Sequence, residues 1–291
     1  MATTADAAVP AAPRRRTGPV AWVRRNPTIT IGAAILAALV VLAVIAPLIA
    51  EDPLSFEPTN RLKRPSEAFW FGTDQFGRDV YSRVVYGSRI SLIVGVSVAA
   101  FATLVGLTLG VLCGYYKRVD AIVMRIMDGL MAIPSILLAI ALITLMKASI
   151  FIVIVAISIP EIPRVVRLVR SVVLSVRGLP YIEAAIASGT RNTTIMIRHI
   201  LPNTYAPLIV QATYVCASAI LTEAGLSFLG AGTPPEIPSW GNVISLGRTF
   251  FQIAPWIIFF PGVLLAITVL AINLVGDGLR DTLDPRIARR M

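Results

Sequence analysis

The sequence predicts an all-α polytopic membrane protein with six transmembrane helices. Hydrophobic residues make up 56% of the chain and charged residues 14%, with a mean hydropathy of +0.78. Soluble domains carry roughly 25% charged residues. Apolar runs recur along the chain at lengths near the roughly 20 residues that cross a hydrocarbon core. Most basic residues fall between these runs rather than within them.

Residues 1–28 read as an Ala/Pro/Arg-rich tail. No short apolar stretch with a small-residue cleavage site opens it, so it is expected to stay uncleaved. The first span is placed at Ile29–Ala50. Residues 51–89 form the first loop on the far side, ending in an amphipathic interfacial helix from about Arg78 to Ser88. There Asp74 and Asp79 stand close enough to Arg78 and Arg83 for local ion pairs. Residues 90–276 form the core, with spans at Ile90–Gly114, Ala121–Met146, Ser149–Arg164, Ala206–Leu229 and Phe250–Gly276. Arg125 and Asp128 stand one turn apart at the start of the third span, to pair or to sit at the interface. The fourth span is the shortest, and Pro160 and Pro163 interrupt it. Gly276 and Gly278 end the last span. Asp277, Arg280, Asp281 and Asp284 return the chain to water in a tail of residues 277–291.

The positive-inside rule sets the orientation. With the N-terminus cytoplasmic, all of the 26 Lys and Arg residues except Arg61, Lys63, Arg64, Arg78, Arg83, Arg89, Lys147 and Arg248 lie inside. Six spans return the C-terminus to the same side. The net charge of +10 is therefore topological. It is spread over separate cytoplasmic segments, which does not suit nucleic acid. Cys113 and Cys216 fall within spans and read as small buried residues, with no disulfide or metal site implied. Trp240 and Trp256 suit the outer membrane interface.

The most informative stretch is polar and basic, from Tyr181 to Asn203, within a cytoplasmic segment at residues 165–205. Pro180 suits the first turn of a helix, where its missing N–H is not needed. Tyr181 to Ser188 holds good helix formers, and Gly189 suits the left-handed residue that ends a helix. Thr190 or Asn192 then caps a second helix, which Pro202 limits. Ala184, Ala185, Ala187 and Ser188 make the first helix thin, so a partner's surface can approach its backbone. Glu183 offers that partner a charged acceptor. Elsewhere, Glu223 interrupts an apolar run near the outer side. An ionisable residue at such depth usually faces a cavity or a partner. Two roles stay open for it: lining a transport path, or bonding unpaired backbone near Pro234, Pro235 and Pro238.

Enzymatic classes find little support. None of the three lysines, Lys63, Lys117 and Lys147, follows Gly, so the chain has no GxxxxGK phosphate loop. The one histidine, His199, excludes an HExxH zinc site. An ion-coupled secondary transporter would show inverted repeats and membrane-embedded charges. The first and last three spans show no such repeat.

The sequence Glu183-Ala184-Ala185, with Gly189 six residues on and His199-Ile200-Leu201-Pro202 downstream, resembles the EAA loop of bacterial ABC importer membrane subunits. Three further stretches resemble one branch of that family, the C-type subunit of dipeptide and oligopeptide importers. In Phe71 to Gly95 the matching residues are Gly72, Thr73, Asp74, Gly77, Arg78, Asp79, Arg83, Gly87 and Arg89. The others are Glu223 to Ile244 and Ala271 to Arg290. Glu161-Ile162-Pro163 and the Thr-rich run from Thr190 to Thr194 depart from the family pattern.

The resemblance implies a type I ABC importer permease fold in the bacterial plasma membrane. It implies ATPase coupling through Glu183, Ala184, Ala185, Gly189, Arg198, His199 and Pro202, and no catalytic, cofactor or metal residues in this chain. The partners it implies are a B-type permease, two ATP-binding subunits or one fused ATPase holding ATP and Mg, and an extracytoplasmic peptide-binding lipoprotein. Within the branch, nickel chelates and glutathione are the alternative cargoes.

Overall fold

A computed structural model describes residue 23 and residues 26–146 and 149–283. Most of the expected N-terminal tail, with Arg14, Arg15, Arg16, Arg24 and Arg25, lies outside the described residues. So do Lys147, Asp284, Arg286, Arg289 and Arg290. The described residues are mostly helical, with the longest connection over residues 50–79 and an isolated bridge there between Thr73 and Asp79.

The long helices are α1 (Pro27–Ile49), α2 (Val80–Tyr115), α3 (Lys117–Ala132), α4 (Ser135–Leu145), α5 (Ile150–Arg177), α7 (Asn192–Phe228) and α9 (Trp256–Leu283). Two short ones, α6 (Pro180–Ala187) and α8 (Trp240–Gly247), lie in connections. Four of these, α1, α2, α7 and α9, are long and apolar enough to cross a membrane. The pair α3 and α4 supplies a fifth if its 91° bend is counted within one span.

This differs from six straight spans in three places, each with a local cause. The third expected span breaks at Ile133-Pro134. A residue before proline is pushed out of the helical region, and Ile133 adopts φ −94, ψ 130. The fourth lies within α5, which runs unbroken past Arg164 to Arg177. Pro160 and Pro163 sit inside that helix without ending it, and Glu161, Ile162 and Pro163 are buried in the bundle. Packing thus overrides the local preference. The charges of α5, from Glu161 to Arg177, lower its apolarity rather than its length. The interfacial helix expected at Arg78–Ser88 is not separate either. Asp79 caps α2, accepting from the backbone N–H of Ser82 at 2.9 Å and of Tyr81 at 3.3 Å. No breaker follows, so α2 continues for 36 residues, or about 54 Å at 1.5 Å per residue.

The core is built on close backbone approach. Gly106, Gly110 and Gly114 recur every fourth residue of α2 and receive Val165, Val169 and Val173 of α5. A Cβ at any of the three would stand 2.5–2.6 Å from the facing valine Cβ. Helix pairs in lipid gain little from apolar burial and rely on such small-residue contacts. The two helices therefore run parallel in tight register. Helices α1 and α9 pack antiparallel, with Gly32 against Ala271 and Gly278 against Ile29.

These contacts define two ends of the bundle. Tyr115, Arg177 and Asn192 meet at one, hereafter the loop end. Val80, Trp240 and Trp256 mark the other. Trp240, expected at the membrane interface, is instead fully buried, and its Nε1 donates to the Val84 carbonyl at 3.0 Å. Trp256 donates to the Thr73 carbonyl at 3.2 Å. Phe71 stacks on Phe260 with centroids 3.9 Å apart.

Candidate functional site

At the loop end, α6 hangs between α5 and α7. Pro180 occupies its first turn, as its missing N–H allows. Its end is a left-handed glycine turn. Gly189 has φ +76. The Gly189 N–H bonds the Ile186 carbonyl at 3.0 Å and the Thr190 N–H bonds the Ala185 carbonyl at 3.1 Å. That is the Schellman arrangement, which satisfies carbonyls the helix end leaves open. One side chain, Ile182, is fully buried and anchors α6 to the core that holds Ile195 and Ile200. Glu183, Ala184, Ile186, Ala187, Ser188 and Gly189 are exposed, and Ala185 is half-buried. Arg198 and Pro202 are exposed as well, and His199 is half-buried. The His199 ring lies 6.4 Å from that of Tyr181, itself exposed. Of the expected coupling residues, Glu183, Ala184, Ala185 and Gly189 share α6 and its turn and His199 approaches Tyr181 of that helix, while Pro202 lies beside Asn203, Ala206 and Arg280.

The second helix of the loop departs from expectation at both ends. Neither Thr190 nor Asn192 caps it. Arg191 is the cap residue, without a side-chain bond, and Asn192 is the first helical residue. Pro202 does not limit it, and α7 continues to Phe228. The backbone widens into a π-helical stretch over Ile195–Ile200, and the Leu201 N–H reaches the Met196 carbonyl. A wide turn relieves the clash between a proline ring and the carbonyl four residues earlier. Asn203 adds a side-chain bond to the His199 carbonyl at 2.7 Å.

Sequence reading missed the brace that holds this unit. Tyr115, at the end of α2, binds both flanks of α6. Its hydroxyl donates to Asn192 Oδ1 at 2.7 Å, and its carbonyl accepts from Arg177 Nη1 at 2.8 Å. The Arg177 guanidinium also lies 5.3 Å from the Tyr115 ring centroid. Helix α3 adds two ion pairs to α5: Asp120 with Arg170, and Asp128 with Arg167 at 2.6 Å. Asp128 therefore pairs across helices and not with Arg125. No local pattern marks Tyr115, since its partners stand 62 and 77 residues away.

The opposite end is closed. Glu223 is fully buried in α7. Its Oε1 accepts from the hydroxyls of Ser227 at 2.8 Å, Ser239 at 2.9 Å and Thr233 at 3.3 Å. It lines no open path in this conformation and bonds hydroxyls, not the proline-flanking backbone. That backbone role falls to Asn242, whose two Nδ2 protons are shared among the carbonyls of Thr233, Pro234 and Ile237, each 3.0 Å away. Of the ion pairs expected near Asp74, Arg78 with Asp74 forms at 2.9 Å. Asp79 is spent on the cap of α2, and Arg83 is buried without a hydrogen-bond partner among the described residues.

Residues 106–289 match the family described as "Binding-protein-dependent transport system inner membrane component". The chain belongs to this family. It is similar to a probable peptide ABC transporter permease of Sinorhizobium fredii, 56% identical over 92% of each chain. A dipeptide transport system permease of Alkalihalophilus pseudofirmus is 45% identical, over 91% of this chain and 88% of the relative. A glutathione transport system permease of Pectobacterium atrosepticum is 42% identical over 87% of each. In fold, the chain is similar to the inward-facing MetNI methionine ABC transporter. That likeness has a TM-score of 0.56 at 22% identity and covers 69% of this chain and 96% of the other. The resemblance read from the EAA loop and its three companion stretches therefore holds, and this inner membrane component is an all-α, multi-pass membrane protein with the fold of ABC importer permeases.

Proposed function

We propose that this inner membrane component is the C-type permease subunit of an ATP-driven importer of dipeptides or oligopeptides. The observation that carries this reading is the similarity to peptide and dipeptide permeases over nine-tenths of the chain. Glutathione is itself a tripeptide, so the glutathione relative stays within the same cargo chemistry. The chain forms half of the pathway, beside a B-type permease. A peptide-binding lipoprotein delivers cargo on the outer side. ATP and Mg sit in partner ATPase subunits, separate or fused, at the cytoplasmic side, with both termini of this chain.

In this reading α6 is the coupling helix. Its thin, exposed face enters a cleft of the ATPase, with Glu183 accepting a hydrogen bond and Ala184 and Ala185 permitting close approach. Gly189 sets the turn, and Arg198, His199 and Pro202 of α7 add further contacts. The Tyr115 brace ties α6 to α2, α5 and α7, so displacement of α6 on ATP binding tilts those helices together. Motion at one short helix thereby becomes a change in the path.

The test is a mild-detergent pull-down of the tagged chain followed by reconstitution. Recovery of a second permease, ATPase subunits and a binding protein, with peptide-stimulated ATP hydrolysis and peptide uptake, is the expected result. A chain recovered alone that moves solute under an ion gradient overturns the reading in favour of a secondary transporter.

A further inference from the structure

We infer that Arg164, oriented by Glu161 and Ser218, is a transit site for the C-terminal carboxylate of the transported peptide. The inference rests on the peptide-importer reading above.

Helix α5 shows two faces. Val165, Val169 and Val173 are buried against the glycines of α2. Arg164, Arg167, Ser171 and Ser175, three or four residues apart, are exposed on the other face. Arg164 lies 13 residues before Arg177, which places it about 20 Å along the helix from the loop end at 1.5 Å per residue. Arg164 closes the fourth expected span, and a charged side chain at that margin, midway along α5 (Ile150–Arg177), belongs in water or against a partner and not against lipid.

The three arginines of this stretch are not equivalent. Arg167 and Arg170 have their own carboxylates on α3, Asp128 and Asp120. Arg164 meets only Glu161, through Nη1, at 3.3 and 3.4 Å to the two carboxylate oxygens. Glu161 is itself held by the Ser218 hydroxyl of α7 at 3.1 Å. The Glu161 side chain is 7% exposed and that of Arg164 43%. The acid thus stands behind the base. It fixes the guanidinium by one nitrogen and leaves Nε and Nη2 without a hydrogen bond among the described residues. That free edge has the forked donor geometry that binds a carboxylate through two parallel bonds. Every linear peptide with a free C-terminus carries such a carboxylate, whatever its side chains, so one fixed guanidinium serves a broad range of sequences.

The experiment uses the whole reconstituted complex with its binding protein. Uptake of a free-acid tripeptide and of its C-terminal amide is compared in wild type, Arg164→Gln and Arg164→Lys. Arg164→Gln is expected to slow the free acid on the order of tenfold, as loss of a charged hydrogen bond does. The amide should be unaffected and Arg164→Lys intermediate. Equal slowing of both peptides overturns the inference. Where the amide is not carried or the variant does not assemble, Leu168→Cys, one turn from an intact Arg164, in a Cys113→Ala, Cys216→Ala background decides. Its thiol should react with a membrane-impermeant reagent and be protected by free-acid peptide. A thiol that is unreactive, or reactive but unprotected, assigns the face to the partner permease or to lipid and overturns the proposal. Failure of the wild-type complex to import any peptide instead sinks the peptide reading, and this inference with it.

Discussion

Helix α7 lies between two glycine turns that are locally the same and globally opposite. Gly189 precedes it, at φ +76, and Gly230 follows it, at φ +81. Each closes a helix with the same pair of hydrogen bonds, to the Ile186 and Ala185 carbonyls at the first and to the Ser227 and Leu226 carbonyls at the second. A Cβ at either glycine would meet nothing within 4 Å. What differs is the surroundings. After Gly230 the chain folds inward, and Thr233, Ser239, Trp240 and Asn242 are buried around Glu223. Around Gly189 the polar groups point outward, with a single buried residue, Ile182, holding α6 to the core. One end turns its polar groups inward, with Glu223 Oε2 and the Arg83 guanidinium buried there without a hydrogen-bond partner among the described residues. The other leaves them available to a partner. The same turn chemistry borders a buried loop at one end and, in the proposed reading, a docking element at the other, and burial separates the two.

Substitutions at the two ends test this contrast. The largest loss of stability is expected at the sealed end. Glu223→Ala strands the buried hydroxyls of Ser227 and Ser239, while Thr233 keeps Ser239 as an acceptor, and should destabilise the subunit by about 3 kcal/mol, at the upper range for unsatisfied buried groups. Glu223→Gln keeps an acceptor and should lose about 1 kcal/mol or less. Thermal unfolding in detergent, followed by a thiol-reactive dye at Cys113 and Cys216, measures both. Similar losses for the two variants would show that the hydroxyl cluster does not depend on an acceptor at this position.

Next come the paired turns. Gly189→Val and Gly230→Val each force a β-branched residue into a left-handed conformation, at about 1–2 kcal/mol. Their stability losses should match. Only Gly189→Val should also abolish peptide-stimulated ATP hydrolysis, because only that turn sets α6. Full stimulation in Gly189→Val would break the contrast. Tyr115→Phe removes the hydroxyl that joins α2 to Asn192 and should lose about 1 kcal/mol, the usual net value of such a bond. Its stimulated ATPase should fall while ATPase binding persists, since the brace and not the docking face is altered. The smallest stability change is expected for Glu183→Ala, an exposed site, at about 0.5 kcal/mol or less. Co-purification of the ATPase subunits should nonetheless weaken, and unchanged recovery would remove Glu183 from the docking face.

Much of this was legible in the chain. The helical class, the left-handed turn at Gly189 and the thin exposed face of α6 follow from composition and from residue types a few positions apart. The errors share one cause. Local rules placed helix ends at Pro160, Pro163 and Pro202, yet α5 and α7 run through all three. At Pro134 the error ran the other way: the third span was expected to continue through it, yet Ile133 is driven into an extended conformation and the chain turns sharply. Local charge spacing likewise left Arg125 and Asp128 to pair or to sit at the interface, whereas the partner of Asp128, Arg167, stands on another helix.

By itself, the sequence determined what neighbouring residues encode: apolar length, basic asymmetry, and the glycine that lets α6 end. Only the tertiary structure decided which polar groups are buried and which are free. Glu223 and Arg164 look alike as isolated charges in apolar runs. One is enclosed by hydroxyls from a loop folded back over it. The other shows a free edge because its own acid, one turn back on the same helix, is held behind it by Ser218 of α7. Burial and charge pairing depend on residues tens of positions apart, and no local pattern contains that distance.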